Sequence, residues 1–200
     1  MVKYLLAFFI FFTYNFAHSD NDLEITADQF TYDKDNTRIY ATGDVQIIDE
    51  QFKLNAQKVF LNNSSNVISA RENVTIFNSD GTILKAEKIV ADQELNNAII
   101  EDNFLYIPGE PFNEKSNYLR LAAKKVERRD KFWEKLENGV FTACEICFNK
   151  KTNKYDEPLI QLRAKKIIHD KNSMDVKYYD AFLDFKGKSI FYLPYFSHAS

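Results

Sequence analysis

The chain has little of what catalytic and metal-binding sequences usually carry. It holds two cysteines and three histidines, with no second CxxC and no spaced histidine pair to complete the four ligands of a structural zinc site. GxSxG, HExxH and glycine-rich phosphate loops are all missing, so no enzyme is read here. The net charge of -3 and the pI near 5.7 leave no bulk positive charge to hold nucleic acid. Glycine and proline are scarce, at five and four residues, whereas aromatics make up 15%. That balance suits β-structure with large side chains lining an interior.

One apolar run exists, and it is N-terminal. MVKYLLAFFIFFTYNFAHS has a basic Lys3, an apolar stretch from Tyr4 to Phe16, and small residues at Ala17 and Ser19. This is the pattern of a secretory signal peptide over 1–19, with the mature chain starting at Asp20. The run is shorter than the ~20 residues a membrane-crossing helix needs. No cysteine follows the cleavage site to take a lipid anchor. An exported chain enters an oxidising compartment, where disulfides are the default fate of cysteines.

The most informative feature is a five-fold internal repeat. LEITADQF, FKLNAQKV, TILKAEKI, LRLAAKKV and IQLRAKKI share one pattern, anchored on Ala27, Ala56, Ala86, Ala123 and Ala164. Turn-forming residues follow at Asp33, Asn62, Asp92 and Asp170, with Asp130 one place late. Eighteen residues after each anchor, a gap-free alignment brings Val45, Val74, Phe104, Phe141 and Phe182 to one equivalent position. Each unit reads as two strands joined by a turn. The alternation in RIYATGDVQII places Ile39, Ala41, Gly43, Val45 and Ile47 on one face. In the first strand the phase slips after the anchor: Leu54 and Ala56 are followed by Val59 and Leu61. An extra residue there is what a β-bulge or corner requires. Residues 121–138 have helical propensity, but their fit to the repeat favours strand, loop, strand. A unit with one apolar face cannot bury it alone, so the units stack. The expected fold is all-β: repeated two-stranded units in an elongated β-jelly-roll or solenoid with open sheet edges.

Cys144 and Cys147 lie in GVFTACEICF, within the fourth unit. A CxxC of this spacing is compatible with redox chemistry, half of a metal site or a disulfide, although a thioredoxin-type site would open a helix in an α/β pattern. Lys124, Lys125, Arg128, Arg129 and Lys131, echoed by Arg163, Lys165 and Lys166, read as a solvated strand face balanced by Glu127, Asp130 and Glu134. The aromatic groups NFLYIPGEPF and IFYLPYF read residue by residue as core, with YLPYF as a hinge into a further domain.

ITADQFTYDKDNTRIYATGDVQI resembles the repeat of the OstA-like periplasmic domain of lipopolysaccharide (LPS) transport proteins. GVFTAC and QLRAKKIIHDKNSMDVKYYDAFLDFKGKSIFYLPYFSHAS resemble, more narrowly, the N-terminal domain of LptD-type outer-membrane LPS-assembly proteins. The likeness spans 20–200, divided here into N-terminal repeats over 20–112 and a continuation over 113–200. Ile160 replaces a family tryptophan, and an early cysteine of some members is missing. The resemblance implies an outer-membrane barrel following LPYFSH, so these residues are expected to be the periplasmic part of a longer protein. It also implies an apolar groove for LPS acyl chains, with candidate lining residues Ile25, Ala27, Ile39, Ala41, Val45, Ile47, Leu54, Ala56, Val74, Ile76, Ala86 and Phe104. It maps Cys144 onto a cysteine bonded to the barrel, with a local Cys144–Cys147 bond as the alternative. The implied partners are LPS, an LptA-type bridge protein joined by edge-strand addition, and an LptE-type lipoprotein plug acting through the barrel. No cofactor or metal is implied. A basic contact with lipid A phosphates, a stand-alone LptA-like carrier and a secreted structural β-solenoid are the competing readings.

Overall fold

A computed structural model describes residues 23–108, 118–144, 148–149, 153–155 and 157–199. The expected leader over 1–19 lies outside them. Fourteen strands follow one another: β1 (Glu24–Thr26), β2 (Gln29–Tyr32), β3 (Arg38–Ile48), β4 (Phe52–Asn62), β5 (Val67–Asn78), β6 (Ile83–Asp92), β7 (Ala98–Pro108), β8 (Tyr118–Arg129), β9 (Trp133–Thr142), β10 (Phe148–Asn149), β11 (Lys154–Tyr155), β12 (Ile160–Asp170), β13 (Asp175–Phe185) and β14 (Lys188–Ala199). Twelve form one antiparallel sheet in nearly sequential order, β1 and β2 sharing β3, while β10 and β11 make a small separate hairpin. The fourth unit is indeed strand–turn–strand, β8 and β9 pairing from Arg120 and Thr142 to Arg129 and Trp133. The break between 112 and 113 falls between β7 and β8, which pair along their lengths.

The turns are set by side chains near the ends of the strands. Asp33 Oδ1 accepts hydrogen bonds from the backbone N–H groups of Thr37 and Arg38, at 2.8 and 3.1 Å. Asp92 accepts from those of Asn96 and Asn97, Asn62 from those of Ser64 and Ser65, and Asp170 from those of Asn172 and Ser173. These are the residues the repeat marked as turn-formers, and their acceptor oxygens are spent on local backbone.

A flat sheet cannot hide its own face, yet Ala41, Val45, Ile47 and Leu54 are entirely buried although the described residues include no helix. The strands must therefore bend midway, so that one sheet folds over itself and its two limbs share one core. Phe52, at one set of turns, and Asn66, Gln93 and Lys131, at the other set, accordingly line a common cavity of about 310 Å³.

The bend has a local cause. In β4 buried Ala56 is followed three residues later by buried Val59, as the phase slip required. The surplus residue itself sits on the facing strands. Thr42 pairs with Lys58 and Val45 with Ala56, so Gly43 and Asp44 together oppose Gln57. Glu72 and Asn73 likewise oppose Glu87. All four adopt left-handed backbone, with φ of 78°, 40°, 64° and 57°. In β7, β9 and β13 the bend is made by single left-handed residues, Asp102, Asn138 and Asp180, and no extra residue is inserted.

That difference corrects the gap-free alignment. Val45 and Val74 pair with Ala56 and Ala86, but from the third unit the equivalent inward positions are Asn103, Gly139 and Ala181. β7 and β13 lack the inserted residue, and the β8–β9 turn is also one residue shorter than its neighbours. Two further expectations change. The first strand breaks into β1 and β2 around Asp28, whose N–H donates to the Gly43 carbonyl at 3.0 Å. YLPYF, expected as a hinge, lies within β14, which pairs with β13 on both sides of a register shift at Leu183–Asp184. Pro194 lies opposite the left-handed Asp180, between the pairs Tyr179–Tyr195 and Ala181–Leu193, so its missing N–H falls at the bend.

Gly43 has no room for a side chain without strain: φ is +78°, and an added Cβ would lie 2.3 Å from Asp28 Oδ2. Gly43→Val is expected to destabilise the fold by roughly 1–3 kcal/mol, read as a lower urea midpoint by circular dichroism. An unchanged midpoint would show that the bend does not depend on left-handed backbone at this position.

Candidate functional site

Inside the fold the registered strands make four continuous rows. Two lie either side of the bend. Ala41, Val59, Ala70, Ile89, Ile100, Val126, Leu136, Ile167, Tyr178 and Phe196 form one. The other is made of small residues, with Val45, Ala56, Val74, Ala86, Asn103, Ala123, Gly139, Ala164 and Ala181 leading to Leu193. Smallness has a steric reason at the fold line, where a Cβ on Gly139 would come within 2.5 Å of Ile167 Cδ1.

Of the twelve candidate groove residues, Ala41, Val45, Ile47, Leu54, Ala56, Val74, Ile76 and Ala86 are buried in one core. Ile25, Ala27 and Ile39 are partly buried against it. Phe104 is placed apart. It follows inward-facing Asn103, pairs with Lys85 and Ala122, and packs beside Tyr106 on the outer face, the ring centres 4.7 Å apart. Leu105 takes the inward place beside it.

The third row shows how the interior changes along the sheet. Ile47, Leu54, Ile76 and Leu84 are 0–8% exposed. Their successors Leu105, Leu121, Phe141, Leu162 and Leu183 are half-buried, and Phe191 on β14 is 58% exposed. The interior is thus closed over β3–β6 and opens toward β14, while keeping its apolar lining.

The fourth row, near the turns, is apolar from Ile39 through Leu61, Ile68 and Ala91 to Ala98 and then becomes charged. Arg128, Glu134 and His169 follow in direct register, before Val176 and His198. Arg128 bonds Glu134 at 2.9 Å, His169 Nδ1 lies 3.6 Å from Glu134, and Lys171 lies 3.7 Å from it. Burial pushes the Glu134 carboxyl up, but the His169 contact and the charges of Arg128 and Lys171 outweigh it and hold the group at about 2. Arg128 and Glu134 thus depart from the solvated face expected for them. The signal lay in the repeat: Arg128 and His169 stand five residues after their anchor alanines, where Leu61 and Ala91 stand in earlier units.

A second irregularity is Asn103, 6% exposed in the row of small residues, whose Nδ2 has no hydrogen-bond partner among the described residues. An orphaned buried donor costs about 1–3 kcal/mol. Cys144 sits at the end of β9, half-buried, with a free thiol. Its N–H donates to Thr142 Oγ1 at 3.1 Å, and its carbonyl accepts from Arg120 Nη1 at 2.9 Å. Cys147 lies outside the described residues. Among those described, no group of three or more His, Cys, Asp or Glu is arranged to hold a metal ion, and no helix is long and apolar enough to cross a membrane.

The fold is thus an all-β meander around a largely apolar interior that opens toward β14. The family model for the LptA/LptD N-terminal domain, an LPS transport protein, matches residues 24–155, and the chain belongs to this family. Comparison with curated proteins gave no match. The family is one of LPS transport.

Glu134 links the charged row to pH. A carboxyl acidified by folding stabilises the fold above its unfolded value near 4.5 and ceases to do so as pH falls toward about 2. Glu134→Gln is therefore expected to be less stable than the parent at pH 7 by roughly 2–3 kcal/mol, with the gap closing at pH 2. Urea unfolding at both pH values measures this; a gap independent of pH would show that the ion cluster is not its source.

Proposed function

We propose that this chain accepts the acyl chains of lipopolysaccharide in its apolar interior and passes them along the sheet, as the exported periplasmic domain of an LptD-type outer-membrane assembly protein. The observation that carries this reading is the third inward row, which stays apolar while it opens toward β14. Each methylene buried there contributes about 0.8 kcal/mol, and a structural β-solenoid would have no use for an opening lined by leucine and phenylalanine. Asn103 offers a hydrogen-bond donor to a guest carrying acceptor oxygens. Lipid rests in the half-open part lined by Leu105, Leu121, Leu162 and Leu183, and parting of the two limbs over β3–β6 lets it pass between the two edges.

The LptD-type assignment, in preference to a stand-alone LptA-like carrier, draws on the FTAC element and the YLPYFSH sequence. In this reading Cys144, held by Thr142 and Arg120, is a tether to a cysteine outside these residues, and Cys147 is its local alternative partner. The free edges at β1–β2 and β14 suit strand addition by an LptA-type bridge protein on one side and passage into a barrel with its LptE-type plug on the other.

Photo-crosslinking amino acids at Leu162 and Leu183 are expected to give LPS adducts in living cells, and one at outward-facing Lys53 none. Failure at both inner positions would favour the structural reading. Non-reducing mass spectrometry of the natural gene product would separate a barrel-linked Cys144 from the carrier reading, which needs no such bond.

A further inference from the structure

On the outer face, β9, β12, β13 and β14 bring Val140, Arg163, Phe182 and Tyr192 into one registered row. With Asn138, Lys165 and Asp180 they line an open cleft of about 730 Å³, large enough for a small ligand. Gly139 and Ala164 lie at its floor, while the side chains of Ala164 and Ala181 are buried in the core on the other side of the sheet.

The cleft is organised in advance. Asp184, 1% exposed, accepts from Arg163 Nε and, at 3.1 Å, from Nη2. Ser189 Oγ takes a further bond from Nη2 at 2.9 Å, and Gln161 Nε2 also donates to Asp184. The guanidinium is thereby fixed 5.5 Å from the centre of the Phe182 ring. Tyr192 packs against Phe182 with ring centres 4.9 Å apart and planes tilted by 42°, its hydroxyl donating to Asp180 at 2.8 Å, and is 48% exposed. Beside it Tyr179 and Tyr195 pair at 5.2 Å, and Lys166 lies over Tyr179 at 3.8 Å.

We propose that this outer cleft is a saccharide-binding site, with Tyr192 and Phe182 as the stacking platform and Arg163, Lys165, Asn138 and Asp180 as hydrogen-bond partners. The ring faces match the C–H faces of a pyranose. Cationic donors are interspersed with acceptors, since Asp180 lines the cleft and Glu157 adds charge beside Arg163. Such an alternation suits hydroxyls, which both donate and accept, and disfavours a bare phosphate, which needs donors alone. The proposal does not rest on lipid entering the interior.

The test is calorimetric titration of the full chain with two probes: the lipid-free core oligosaccharide released from LPS, and a peptidoglycan disaccharide fragment. Binding of either supports the site and identifies the source of the sugar. Tyr192→Ala and Lys165→Ala, both at exposed side chains, are expected to weaken binding about tenfold and a few-fold, while Tyr40→Ala, at the opposite end of the outer face, leaves it unchanged. The proposal is overturned if neither sugar binds at millimolar concentration, if both cleft variants bind like the parent, or if inorganic phosphate competes as well as the sugar.

Discussion

Everything in this fold depends on getting a twelve-stranded meander to bend along one line. An antiparallel sheet without a second layer exposes one apolar face, and folding the sheet over itself is the way this chain hides it. The fold line must cross every long strand at the same register, or the inward rows would break. Left-handed residues at Gly43–Asp44, Glu72–Asn73, Asp102, Asn138 and Asp180 make that line. They are mostly glycine, asparagine and aspartate because other side chains resist positive φ. Small residues opposite them let the limbs approach, which explains the repeated alanine.

From that geometry the interior inherits its shape. Two limbs meeting at a fold give an interior that runs across the strands, lined by rows of side chains. Identical units would give identical cross-sections, but these units are not identical. The early ones close with isoleucine, leucine and valine, and the later ones leave leucines half-buried while Arg128, Glu134 and His169 line the other limb. The opened end is thus amphipathic, apolar on one wall and charged on the other. A glycolipid with acyl chains and a polar head has the same division.

The outer face carries a different chemistry, since alternation gives each strand two independent surfaces. Pinned arginine, exposed tyrosines and a buried aspartate on the outside of β12–β14 are unrelated to the core they cover. One polypeptide stretch, QLRAKKII with YYDAFLDF, therefore contributes alanines to the interior and a polar aromatic cleft to the exterior.

Much of this was legible in the sequence. The repeat, the two-stranded unit, the turn residues and the inward alternation are local, set by period-two patterning and by aspartate and asparagine bonding their own backbone. Phe104 marks where that legibility ended. Whether a strand inserts an extra residue at its bend is decided by pairing with a neighbouring strand, and a one-residue difference sends the rest of that strand's side chains to the opposite face. Cross-strand register likewise set Glu134 between Arg128 and His169 and joined Arg163 to Asp184. The sequence alone determined the units and their apolar face. Tertiary structure decided the register between units, and with it which residues line the interior, where it opens and what lies outside, because those depend on contacts between strands distant in the chain.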